Sequence, residues 1–199
     1  MRGDLPGSGD ERSQAASACC APVRAEDWPA VRELRLAALL DPLAPLAFLE
    51  SYANAAGQPQ VFWQDRARHA AEGTTVAQFV AERAGDGRWD GTVTVLIEEA
   101  GSTDPFGLPV VHRQAHLVGV FVRAGARGRG LAEDLFRAAV EWAHEVPAVE
   151  RVRLLVHERN ARAEGFYRRF GFVPSGVAVP EPDGAEANEL EYVLRPSVG

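Results

Sequence analysis

The spacing of hydrophobic positions changes several times along the chain, and each change marks an element. Residues 18–24 form a short apolar segment that reads as a first strand. Asp27 is placed as an N-cap with Pro29 in the first turn. Val31, Leu34, Leu36, Ala38 and Leu39 then give a helix its apolar face, and Asp41-Pro42 stops it. Residues 43–71, with Phe48, Tyr52, Phe62 and Trp63, predict one or two further helices broken near Gly57-Gln58-Pro59. Thr74 to Arg83 reads as a strand, Ala84 to Gly87 as a hairpin turn, and Arg88 to Glu99 as the partner strand. Residues 100–113 carry Gly, Pro and Asp and read as a surface loop inserted before a third strand, Gln114 to Arg123.

Helical spacing returns at Leu131, Leu135, Ala138, Ala139, Trp142 and Val146, and Pro147 closes that helix. Arg151 to His157 reads as a strand parallel to the one before the helix, reached by a crossover. Phe172 to Val179 and Glu189 to Arg195 are the last two strands, joined by the turn-rich Pro180 to Gly184. Residues 1–17 show no periodicity and read as a disordered tail. Residues 18–199 read as one domain.

Composition narrows the function classes. The formal net charge of −7 disfavours a nucleic-acid partner, which would need a basic surface, and is compatible with a cationic amine. No apolar run approaches the roughly 18 residues of a membrane span, so no membrane partner is expected. The N-terminus lacks a secretory apolar region. Cys19 and Cys20 are adjacent, where a disulfide would be strained, and no His/Cys spacing suggests a metal. A reduced, cytoplasmic protein is the expectation.

One stretch carries more information than the rest. An apolar β-branched run, Leu117 to Val122, feeds the glycine-rich segment Arg123 to Gly130, which feeds the helix from Leu131. A strand, a glycine loop and a helix start make an anion site. The first-turn amides lack intrahelical partners, and the helix dipole is positive there. There is no Gly-Lys-Ser/Thr for a nucleotide loop, and the spacing is not Gly-x-Gly-x-x-Gly. Arg127-Gly128-Arg129-Gly130-Leu131-Ala132 fits Arg/Gln-x-x-Gly-x-Gly/Ala instead. Further on, Asn160 is followed by Ala163, Tyr167 and Gly171-Phe172.

These two signatures, in this order, resemble those of the GCN5-related N-acetyltransferases (GNAT), and the resemblance spans roughly residues 21–195. One departure is Ala124, where the family often has proline. The resemblance implies an α/β (α+β) fold: a mixed central sheet of about seven strands, helices on both faces, and a splayed parallel strand pair. It implies acetyl-CoA as cosubstrate, held by the backbone of Val120, Phe121 and Val122, by the loop from Arg127 through Gly128, Arg129, Gly130 and Leu131 to Ala132, and by Asn160. The Val122 amide would also serve as oxyanion donor. Asn160 has a structural alternative as the N-cap of the next helix.

The same resemblance casts Tyr167 as the acid that protonates the leaving thiolate, since a phenol stays protonated at neutral pH. The structural alternative is a core aromatic among Phe166, Phe170 and Phe172. For the general base it points to His116, with Glu98, Glu99 and water as rivals. The implied activity is N-acetyl transfer to a small-molecule or peptide amine by direct attack in a ternary complex. The alternative is an acyl-CoA-binding module without catalysis. A homodimer is compatible with either.

Overall fold

The computed structural model describes residues 19–180 and 187–195. The proposed N-terminal tail and most of the turn after Pro180 lie outside these residues. Among the described residues, seven strands form one sheet in the order β1-β2-β3-β4-β5-β7-β6. They are β1 (Cys19–Pro22), β2 (Val76–Glu82), β3 (Trp89–Glu98), β4 (Gln114–Val122), β5 (Arg151–His157), β6 (Phe172–Pro180) and β7 (Asn188–Leu194). The helices are α1 (Trp28–Leu39), α2 (Tyr52–Ala56), α3 (Gln60–Glu72), α4 (Leu131–Glu145) and α5 (Ala161–Phe170). Every strand pair is antiparallel except β4 and β5, which the α4 crossover makes parallel.

Strand alternation sorts the two faces. Phe79, Val93, Val95, Ala115, Leu117, Val152 and Leu154 face α4 and α5, and Phe136 of α4 sits at the centre of that core. Its ring meets Phe166, Tyr167, Phe170 and Phe172, with centroids 5.0 to 6.1 Å away. On the opposite face, Val80, Trp89 and Phe121 pack against Val31, Leu34 and Ala38 of α1 and Trp63 and Ala67 of α3. Asp27 stands at the N-cap position of α1 but does not cap it. Its carboxylate accepts from Arg24 N at 2.8 Å instead, closing the preceding turn.

Two irregularities at β4 open the sheet. β4 and β5 pair only from Gln114↔Arg151 to Leu117↔Leu154 and then diverge. On its other edge β4 carries a bulge. Between Thr92↔Phe121 and Thr94↔Val118, β3 supplies Val93 while β4 supplies Gly119 and Val120. Gly119 has φ +64, which a side chain would strain. Gly119 and Val120 therefore belong to neither regular ladder.

The insertion at residues 100–113 is not wholly a surface loop. Asp104 and Val110 are buried, and Asp104 leads into a charge network on the sheet. Asp104 Oδ1 accepts from the amides of Phe106 and Leu108, and Oδ2 pairs with Arg153 at 2.8 Å. Arg153, 2% exposed, also pairs with Glu98 at 2.7 Å and Glu191 at 3.2 Å. Gln114 and His116 donate to Glu98, and Arg151 reaches both Gln114 and Glu191. Burial by itself would raise the Glu98 carboxyl. The hydrogen bonds from His116 and Arg153 outweigh it and hold the group down to about 2.

Arg153→Met should therefore destabilise the fold by about 3–5 kcal/mol in urea unfolding, because it strands buried carboxylates. Glu98 has a depressed folded-state pKa, so its contribution is complete above its ordinary value of 4.5 and is lost as pH falls through about 2. Stability measured across that window should fall in the wild type and fall less in Glu98→Gln.

Candidate acyl-CoA site

A cavity of about 660 Å³ is lined by the end of β4, the start of α4, α5 and residues 41–48, on the stretch of β4 that has already parted from β5. One end lies at the start of α4. Gly128 and Gly130 have φ +77 and +82, and a Cβ built on either meets nothing within 4 Å. Glycine is thus required there by backbone conformation, and the space above it is open. The first α4 amide to find a carbonyl is that of Asp134, on Gly130 O at 3.1 Å. The amides of Leu131, Ala132 and Glu133 come before it, at the positive end of a 15-residue helix without a side-chain cap. A helix start with free amides and open glycine faces has the form of a phosphate cradle.

From there the cavity runs back along β4 past Val122, Phe121 and Val120 to Tyr167. Phe121 is 8% exposed and belongs mainly to the core on the α1 face. The Val122 carbonyl accepts from Arg127 Nε at 2.9 Å, so that backbone group is already engaged. Tyr167 is 7% exposed, and its hydroxyl has no hydrogen-bond partner among the described residues. Burial, and next the field of Glu189, push the phenol above its ordinary range. It remains a protonated donor throughout the neutral range.

A strap spanning residues 41–48 roofs the cavity. Arg127 pairs with the Asp41 carboxylate at one end, with side chains 23% and 9% exposed. At the other end, Asn160 Nδ2 donates to Leu46 O at 3.2 Å. Asn160 Oδ1 accepts from Ala163 N at 3.2 Å, so the residue is the N-cap of α5 and also lines the cavity. Arg127 is a brace whose charge Asp41 balances. Asp41, which the sequence marked only as a helix stop, is what ties the strap to the loop.

Two expected residues are not on the cavity wall. Arg129 is exposed and does not line the cavity. His116, 2% exposed, lies in the buried network with Nδ1 2.9 Å from Glu98 Oε1. Glu98 is buried in the same network, and Glu99 is exposed and paired with Arg113 at 3.0 Å. Conversely, Arg137, Arg162 and Arg169 line the cavity without having been singled out. Arg162, Phe166 and Arg169 share one face of α5 at helical spacing, which was the available signal.

Comparison with known proteins agrees with this geometry. Residues 40–172 match the family model described as "Acetyltransferase (GNAT) family". The chain is 34% identical over 84 residues to a Bacillus subtilis (strain 168) protein provisionally named as a ribosomal protein bS18-alanine N-acetyltransferase. That match spans 42% of this chain and 55% of that relative. Among solved structures, a ribosomal-protein-S5-alanine acetyltransferase from Vibrio fischeri superposes with a TM-score of 0.66 at 16% identity, over 89% of this chain and 92% of the other. A ribosomal-protein-alanine N-acetyltransferase from Brucella melitensis gives 0.61 at 21% identity, over 88% and 98%. At these identities the likeness to solved structures is one of fold. The family match, the forked sheet and the glycine cradle at α4 converge, and the chain belongs to the GNAT family of acetyltransferases.

Proposed function

We propose that this protein transfers an acetyl group from acetyl-CoA to a primary amine by direct attack. The observation that carries the reading is the partnerless Tyr167 hydroxyl on the wall of a cavity whose far end is a helix N-terminus. The fork divides the labour. The amides of Leu131 and Ala132, with the open backbone of Gly128 and Gly130, hold the pyrophosphate. The backbone of Gly119 and Val120, outside both ladders, is offered to the pantetheine chain as a strand edge would be. Arg162 and Arg169 place two cations, with no side-chain partner among the described residues, on the wall beside the α4 cradle. They suit the remaining phosphate of the cosubstrate.

The amine nitrogen bonds to the carbonyl carbon, the carbon–sulfur bond breaks, and the thiolate takes the Tyr167 proton. The ammonium sheds one proton to solvent before the attack; a second leaves the nitrogen as the tetrahedral adduct collapses and, through solvent, restores the phenol. We assign removal of the first proton to water at the fork rather than to His116. A base must stand within a hydrogen bond, or one water, of the amine, and His116 is engaged with Glu98 away from the cavity. Its part is to help close the buried network. The formal net charge of −7 and the likeness to a protein-alanine acetyltransferase support peptide N-termini and small amines as acceptors, and we further propose a cytoplasmic protein that binds neither nucleic acid nor membrane. A homodimer is compatible with this reading.

Three measurements test it. Gly130→Asp should weaken acetyl-CoA binding by about tenfold or more in calorimetry, because a carboxylate faces the phosphate at a helix N-terminus. Gly130→Ala, with the same backbone strain and no charge, should weaken it less. Tyr167→Phe should lower kcat on the order of 100-fold with acetyl-CoA affinity nearly unchanged, since the ring still packs on Phe136. The defect should shrink with a thioester of lower thiol pKa; a wild-type pre-steady-state rate of thiol release would make Tyr167 a packing residue. His116→Gln should lower the urea midpoint and leave the pH dependence of kcat/KM in place. Loss of the pH limb would return the base to His116.

A further inference from the structure

The large cavity touches both cores of the protein. Tyr167, Leu131 and Ala126 on its wall belong to the core beneath α4 and α5. Phe121 belongs to the core of α1 and α3, and Phe48 packs against it. A cosubstrate laid from the α4 amides to Tyr167 follows the first of these cores. The wall on the α1 side is left over, and it shares one open space with Tyr167.

That wall is apolar. Leu43, Ala44, Ala47 and Phe48 line it from the strap, and Phe121 lines it from β4. The two carboxylates that line the cavity, Asp41 and Glu133, are paired with Arg127 and Arg137. Among the described residues, no unpaired anion on the cavity wall is there to meet an extra cation. Four of the seven exposed large apolar side chains among these residues, Leu40, Leu43, Leu49 and Tyr52, also stand on the strap or close to it in the chain.

Phe48 is held from behind by charge. The Arg35 guanidinium lies 4.5 Å from the centre of its ring, a cation–π contact. Arg35 Nε and Nη2 donate to Glu50 Oε2 at 3.0 and 2.9 Å, so the guanidinium is fixed in turn. Arg66, half-buried, stands near this pair. Burial, and then the charge of Arg35, lower its guanidinium, and Glu50 offsets this only in part. Two guanidinium groups against one carboxylate leave the ground behind Phe48 positive. A ring with a cation on one face binds a second cation poorly, because both draw on the same negative π-face charge and repel each other. Phe48 is therefore a platform for an apolar group and a poor one for an ammonium.

We propose that the acceptor bears an apolar group beside its amine, an aromatic ring above all, and that Phe48 receives this group while the amine faces Tyr167. The proposal rests on the acetyltransferase reading and narrows its substrate class. An aromatic ring is favoured because aromatic pairs gain more than their buried area alone supplies. Polyamines are set aside, because a second ammonium would lose water near Arg35 and Arg66 with no unpaired carboxylate on the wall to replace it. Phe48 acts in binding and specificity, and Arg35 is a positioning residue that acts through it.

The test compares phenethylamine, butylamine and putrescine, read by thiol release from acetyl-CoA. The wild type should favour phenethylamine and use putrescine least. Phe48→Ala should lower kcat/KM for phenethylamine relative to butylamine by about tenfold, mainly through KM. Phe48→Leu, which keeps most of the apolar surface and guards against a folding defect, should lower it less. Arg35→Met removes a cation and releases Glu50, so putrescine should gain on phenethylamine, a shift that lost packing alone would not produce. Arg35→Lys should restore the wild-type order. A wild-type preference for putrescine, or a ranking unchanged by Phe48→Ala or by Arg35→Met, overturns the proposal and leaves the acetyltransferase reading intact. So does a change confined to the preference for acetyl-CoA over hexanoyl-CoA, which would give this wall to the acyl chain. A second readout needs no turnover. Phenethylamine should raise the Tm of the wild type saturated with CoA and not that of Phe48→Ala. If no amine is acetylated, the acetyltransferase reading fails, and this shift alone decides the subsite: a Phe48-dependent rise sustains it and no rise overturns it.

Discussion

The structure depends on one act of separation in the sheet. β4 and β5 hold each other through Leu117↔Leu154 and then part. Parallel strands that diverge leave backbone donors and acceptors unpaired, which a folded protein tolerates only where something else can pair with them. The cost is contained because each strand is secured on its far side, β4 by β3 and β5 by β7. Beneath the point of divergence, Arg153 binds Glu98 of β3, Asp104 of the insertion and Glu191 of β7. This network joins the two halves of the sheet where the ladder is about to end. We read it as the clamp that lets the upper half open without the lower half following.

The open half is then furnished from three directions. The α4 N-terminus supplies amides, α5 supplies Tyr167 and Asn160, and the strap at residues 41–48 closes the roof. Asn160 and Arg127 each act twice, capping or bracing a loop while also fixing the strap. A substitution at either would move the roof as well as a ligand-facing side chain, so losses of binding there have two causes to separate.

Much of this was legible in the sequence because local chemistry dictated it. The alternation in β2 to β4, the apolar stripe of α4, Asp41-Pro42 as a stop and the two glycine-bearing signatures all act through near neighbours. Position in the cavity was legible for Gly128, Gly130, Asn160 and Tyr167 through motif spacing. His116 was not, because strand alternation says which face a residue takes but not what covers that face. Here the insertion does, and its buried Asp104 is invisible in a segment that reads as loop. Gly119 carried an unused signal, since a glycine inside a β-branched strand marks a bulge.

The central claim is that the fork and the α4 cradle together hold one extended cosubstrate. Residue-resolved amide hydrogen exchange, with and without acetyl-CoA, addresses it directly. The account predicts new protection in two places at once: at the amides from Gly128 to Ala132, and at Gly119 and Val120 where β4 leaves both ladders. Protection at the cradle alone, with Gly119 and Val120 unchanged, would contradict the account by separating the phosphate site from the fork.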